Sequence, residues 1–171
     1  MISELEAMAI EMPDVEGHPN REPFHGVLTM VDATSDRAPA GAEGHRVVLT
    51  RKAAEEALPS LLGMALDYAP GLDRHDVRRK VGVITRAEIV GRRLELSGFL
   101  YGKDFPEIVE EIQKSMRGSA QSQLGMSFEI TEAQIADRKA STWILTHVRF
   151  TGAAVLRREK AAYQSTWIRL Q

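Results

Sequence analysis

The chain has 171 residues, 43% apolar and 27% charged, with a formal net charge of −2. That length holds one domain with a real core and is short for two. The near-neutral balance gives no electrostatic case for a nucleic-acid or anionic-membrane partner, and the absence of cysteine excludes disulfides, thiolate metal sites and a cysteine nucleophile.

Residues 1–22 are acidic, then rich in Pro, Gly and Asn, and read as a short helical turn or mobile arm. The opening Met1-Ile2-Ser3-Glu4 lacks the basic and apolar regions of a signal peptide. No apolar run reaches the roughly 18–20 residues of a membrane span. An intracellular protein without a membrane partner is expected.

A strand is predicted over 23–31, a loop over 32–44 and a second strand over 45–49. Thr50 is placed to cap a helix over 51–64, with Ala54, Leu58, Leu61 and Leu62 on one side. Residues 65–78 read as an exposed loop around Pro70, Gly71 and His75. Two β runs, 79–90 and 93–101, alternate Leu94 and Leu96 with Glu95 and Ser97, and Gly91-Arg92 joins them as a hairpin.

Asp104 is predicted to cap the clearest helix, with Glu107 completing a capping box and Pro106 in the first turn. Phe105, Ile108, Val109, Ile112 and Met116 follow as one apolar stripe, which Gly118-Ser119 ends. A strand around Ser127, a polar turn near 131–140, a long β run over 142–156, an Ala-rich turn over 159–163 and a last strand over 165–170 complete the chain. Strands come in hairpin-like runs rather than alternating with helices. That predicts an α+β, mainly β fold: a curled, mostly antiparallel barrel of about seven strands with helices outside.

The chemistry centres on Gly125-Met126-Ser127-Phe128-Glu129-Ile130. In a strand, Gly125, Ser127 and Glu129 share one face, and Leu124, Met126, Phe128 and Ile130 the other. The apolar face goes inward, so the serine face is free to line a groove. A strand serine of no consequence fits the same spacing. Glu129 occupies the second glycine position of a Gly-x-Ser-x-Gly elbow, which argues against an α/β-hydrolase.

A serine hydroxyl needs a neighbouring base to act as a nucleophile, and the base needs an orienting partner. His75, in a charged loop, and His147, in a strand, are the candidates. Each also has an ordinary reading, as a solvated loop histidine and a hydrogen-bonded sheet histidine. Asp73 and Asp76 flank His75 and are placed to orient it or to shape the turn. Glu129 is a weaker acidic candidate. His18, His25 and His45 lack ligand spacing, so no metal is expected. No glycine loop for a nucleotide is present, so no cofactor is expected.

Four blocks in order carry a resemblance. They are Pro23-Phe24-His25-Gly26-Val27-Leu28-Thr29, Leu72-Asp73-Arg74-His75-Asp76 running into Val81-Gly82-Val83-Ile84, Leu124-Gly125-Met126-Ser127-Phe128, and His147 through Val155. Together they resemble the tailed-phage prohead (capsid maturation) serine proteases, which are similar to the herpesvirus assemblins. The resemblance spans about residues 23–160. With the arm over 1–22 read from composition, it implies one protease domain over 23–171. It implies Ser127 as nucleophile, His75 as general base and His147 as the third member. Assemblins use a histidine in a His-Val strand after the serine, whereas many phage members place a carboxylate there. Arg157-Arg158 resemble the arginine pair that helps hold the oxyanion, slightly further along the chain.

The resemblance further implies cleavage of scaffold and major capsid protein inside an immature phage capsid in the host cytoplasm, with a homo-oligomer, such as a dimer, restraining activity. Two alternatives stand beside it. One is a non-catalytic scaffold or shell-associated β-domain, and the other a hydrolase of small esters that would need a deep apolar pocket.

Overall fold

The computed structural model describes residues 7–9, 15–118 and 123–171. The strands are β1 (Ala7–Ala9), β2 (Glu22–Met30), β3 (Arg46–Leu49), β4 (Ala65–Asp67), β5 (Lys80–Val90), β6 (Arg93–Leu100), β7 (Leu124–Ile135), β8 (Thr142–Arg157) and β9 (Trp167–Leu170). The helices are α1 (Arg51–Ala57) and α2 (Pro106–Arg117), with single 3₁₀ turns at Leu58–Leu61 and Arg158–Lys160. The fold is α+β and mainly β.

The strands form one nine-stranded sheet in the order β3-β8-β4-β5-β6-β2-β9, with β1 beside β5 and β7 beside β8. The expected closed barrel of about seven strands is not what forms. The sheet path ends at β3 and β9, which do not pair with each other, so the sheet stays open. β3 and β4 run parallel to β8, and the other pairings are antiparallel. β8 is the hub. One edge takes β3 near its start and β4 near its end, while the other edge carries β7 along most of its length.

Local sequence explains most elements. Thr50 Oγ1 accepts from Ala53 N at 3.2 Å and opens α1. The predicted helix over 51–64 breaks after Ala57, and Pro59 sits in the 3₁₀ turn that follows. A proline there lacks an N–H and crowds the carbonyl four residues back, so the α-helix cannot continue. The β5–β6 hairpin turns at Gly91, whose φ of +61° is cheap only for glycine.

The helix α2 forms with Pro106 in its first turn, but the capping box does not. Phe105 is the N-cap and makes no side-chain cap bond. Asp104 instead accepts from Asn20 Nδ2 at 2.9 Å, and Glu107 accepts from the Tyr68 hydroxyl at 2.6 Å. Tertiary partners have outbid the local cap. β7 also runs on to Ile135, into the stretch predicted as a turn, and Ala65–Asp67 forms β4 inside a predicted loop. Of the predicted arm, Ala7–Ala9 pairs with β5, while residues 1–6 and 10–14 lie outside the described residues. Ser119, predicted to help end α2, also lies outside them.

The core joins Phe24, Leu28, Leu49, Leu58, Leu66, Ile84, Leu94, Ile108, Ile112 and Phe150, all nearly inaccessible to solvent. Two buried tyrosines bear on stability: Tyr68 within this core and Tyr163 outside it. Burial first, then the bond to Glu107, pushes the Tyr68 hydroxyl up to about 12. Burial also pushes Tyr163 up to about 12, with its hydroxyl 3.0 Å from the Ala33 oxygen. Both folded values lie above the unfolded value of about 10. Their contribution is therefore complete below pH 10 and is lost as the pH rises from about 10 toward 12. Thermal stability is expected to fall steeply across that window, and less steeply in Tyr68→Phe and Tyr163→Phe. Equal slopes in wild type and both variants would contradict the assignment.

Candidate active site

Ala154, near the end of β8, pairs with Asp67 of β4 on one edge and with Ser127 of β7 on the other. Residues paired across strands point to the same face. Asp67, Ala154 and Ser127 therefore make one row, and two strand spacings separate its outer backbones by roughly 10 Å. That gap fits one imidazole over the small Ala154 side chain.

His75 fills it from the loop between β4 and β5. Its Nε2 lies 3.2 Å from Ser127 Oγ. Its Nδ1 lies 3.5 Å from Asp67 Oδ2 and 3.5 Å from Glu129 Oε1. The Asp67 side chain is 2% exposed and that of Glu129 44%. Glu129 stands one pleat along the same face, opposite Gly152, where an added Cβ would meet Glu129 Oε2 at 3.1 Å. Gly152 and Ala154 thus keep the floor low enough for the ring and the glutamate.

Nδ1 is buried and has no hydrogen bond, since 3.5 Å is longer than a formed bond to either carboxylate. A proton on Nδ1 would face two anions and leave the Nε2 lone pair toward the serine hydroxyl. That is the tautomer a general base requires.

The loop is fastened at two points. The backbone N–H of Asp76 donates to Asp67 Oδ1 at 2.8 Å, so one carboxylate both pins the loop and faces the ring. The backbone N–H of Arg157 donates to the Leu72 carbonyl at 2.7 Å. Leu72 itself has a φ of +52°, a conformation costing a non-glycine residue roughly 1–2 kcal/mol. These ties fix where the loop delivers His75.

The structure brings Ser127 and His75 together. It does not bring His147 to them. His147 pairs with Gln134 and its Nε2 lies 3.9 Å from Glu132 Oε2. It precedes Ala154 by seven positions of β8, roughly 23 Å at 3.3 Å per residue. Being on the serine's partner strand does not place it beside the serine.

Arg157 and Arg158 are also engaged elsewhere. The Arg157 N–H serves Leu72, and its Nε lies 3.6 Å from Glu159 Oε1. The Arg158 N–H donates to the Gln123 carbonyl, and its guanidinium donates to Thr166 O and Gln123 Oε1. Neither backbone amide is free for an oxyanion. Asp76 turns its carboxylate to Arg78 N and Arg79, and Asp73 is exposed.

The sequence reading missed Asp67. Its signal is faint: Ala65-Leu66-Asp67 is too short to show a strand period, and nothing local pairs it with Ala154.

No family model matches the chain, and no curated protein matches it. Among solved structures, the chain is similar to the KSHV protease in complex with a hexapeptide phosphonate inhibitor. The two are 11% identical with a TM-score of 0.46, over 79% of this chain and 59% of that one. The chain thus spans less than two thirds of that protein's length.

Proposed function

We propose that the chain is a serine endopeptidase that cleaves scaffold and capsid-protein segments as a phage prohead matures. The observation that carries this reading is the row itself: a strand serine 3.2 Å from an imidazole whose far nitrogen faces a buried carboxylate. A structural module gives no reason for this convergence.

The chemistry follows the groups present. Ser127 Oγ attacks the scissile carbonyl carbon while its proton passes to His75 Nε2. The imidazolium forms facing Asp67 and Glu129, whose charge stabilises it. The tetrahedral intermediate collapses, the C–N bond breaks, and His75 returns the proton to the leaving amine. Water then attacks the acyl-serine, giving a proton to His75, and that proton leaves with the released Ser127 oxygen.

An extended peptide suits the site better than a small ester. Among the described strands β7 pairs only with β8; on its other edge Met126 N donates to Thr166 Oγ1 at 3.1 Å, so an added strand would pair from Phe128 onward. Cavities of about 230 and 280 Å³ open elsewhere, and neither is lined by Ser127 or His75. The four-block resemblance supports the substrate class, a homo-oligomer and a place inside the immature capsid in the host cytoplasm.

Co-expression with a candidate scaffold protein tests the reading. Scaffold fragments are expected with the wild-type chain and not with Ser127→Ala, and cleavage that survives the substitution would sink the serine mechanism. A serine-directed fluorophosphonate should label the wild type alone.

The floor of the site gives a separate prediction. Ala154→Val adds two methyl groups beneath the imidazole and should displace it, lowering the fluorophosphonate labelling rate about 100-fold. The circular dichroism spectrum should not change, since valine suits a strand. An unchanged labelling rate would show that the ring does not span this row.

A further inference from the structure

The 3₁₀ turn Arg158–Lys160 and β9 close a second, polar cavity of about 280 Å³ against the end of α2 and the start of β7. Two arginines line it, Arg158 and Arg169, with Ser115 and Gln123 as neutral polar residues. Among the described residues no carboxylate lines it.

Both cations are held in place. Arg158 Nε donates to Thr166 O at 3.0 Å and Nη1 donates to Gln123 Oε1, which leaves the outer Nη donors unspent. Arg169 rests on the Trp167 ring, with Cζ 4.8 Å from the centroid. Among the described residues neither forms an ion pair with a carboxylate. Burial, and then the charge of Arg169, presses the Arg158 guanidinium below its ordinary value. Two like charges that line one cavity and are felt by each other repel, and an anion between them reverses that cost. A guanidinium fork matches the oxygens of carboxylate and phosphate alike.

We infer that this cavity binds a small oxyanion, carboxylate or phosphate, clamped between Arg158 and Arg169. The site is distinct from the Ser127–His75 pair and does not depend on the peptidase reading. It adjoins that face structurally, since a Cβ on Gly125 would meet Arg158 Cα at 3.2 Å. The anion has two sources with one chemistry: free phosphate, or an acidic side chain on a bound peptide.

The test is calorimetric titration of the full chain at constant ionic strength. One arm uses inorganic phosphate, and the other a capped Ala-Glu-Ala peptide against its Ala-Gln-Ala counterpart. Saturable binding is expected in at least one arm, with the melting temperature raised by that probe. Arg169→Gln, at an exposed position that should fold normally, should weaken binding at least about tenfold. Arg158→Gln should do the same, and the distant Arg149→Gln should leave it unchanged. Binding of phosphate alone assigns a free anion, and binding of the Glu peptide alone assigns a peptide acid. No saturable binding in either arm would overturn the inference. So would equal binding by wild type and Arg169→Gln, or equal loss in Arg149→Gln.

Discussion

Ser127→Ala is expected to lower peptide cleavage by about 10⁴-fold or more, because it removes the atom that forms the acyl bond. His75→Ala should cost nearly as much. Without Nε2 at 3.2 Å the hydroxyl keeps its proton and is a poor nucleophile at neutral pH. The two losses should not add, since each disables the same step. The double variant should therefore match Ser127→Ala. Stability should change little, by about 1 kcal/mol, because the serine is only half-buried and its bond joins a loop to a strand. Single-turnover cleavage of a scaffold segment, with melting temperatures measured alongside, checks both parts. Cleavage by Ser127→Ala at a tenth of the wild-type rate would remove the nucleophile assignment, provided the preparation carries no contaminating protease.

What was legible in the sequence was what local periodicity encodes. The alternation of Leu94 and Leu96 gave the β5–β6 hairpin, and the stripe from Ile108 to Met116 gave α2. The inward face of Met126 and Phe128 left Ser127 on the opposite face, as observed. What depends on distant pairing was hidden. β4 is three residues long, and its place between β5 and β8 is set by partners far along the chain. Barrel closure failed as an expectation because edge pairing between β3 and β9 has no local signature. The same limit governs the site. His75 and Ser127 stand out because the blocks around them carry the resemblance. His147 was drawn in by its neighbours in sequence, but β8 is 16 residues long and carries it well away from Ser127. Arg157 and Arg158 show their charge in the sequence, not where their backbone N–H groups point.

The orienting carboxylate carries the second large effect. Asp67→Asn should lower turnover by about 10³–10⁴-fold with little change in KM. The asparagine oxygen can still accept from Asp76 N, so the loop should stay fastened. Its amide would then donate toward His75 Nδ1, which favours the tautomer with the proton on Nε2. That nitrogen could no longer take the serine proton, and the imidazolium would lose a buried counter-charge. Glu129→Gln should cost about tenfold at most, because a 44% exposed carboxylate is screened by water and Asp67 remains. His147→Ala should leave turnover unchanged, since its ring faces Glu132 and not the imidazole of His75. Measuring kcat for the three variants separates the possible partners of Nδ1. A 10³-fold loss in Glu129→Gln with near-normal Asp67→Asn would move the role to the exposed carboxylate. A comparable loss in His147→Ala would show that the β7–β8 ribbon bends back onto the site when substrate binds.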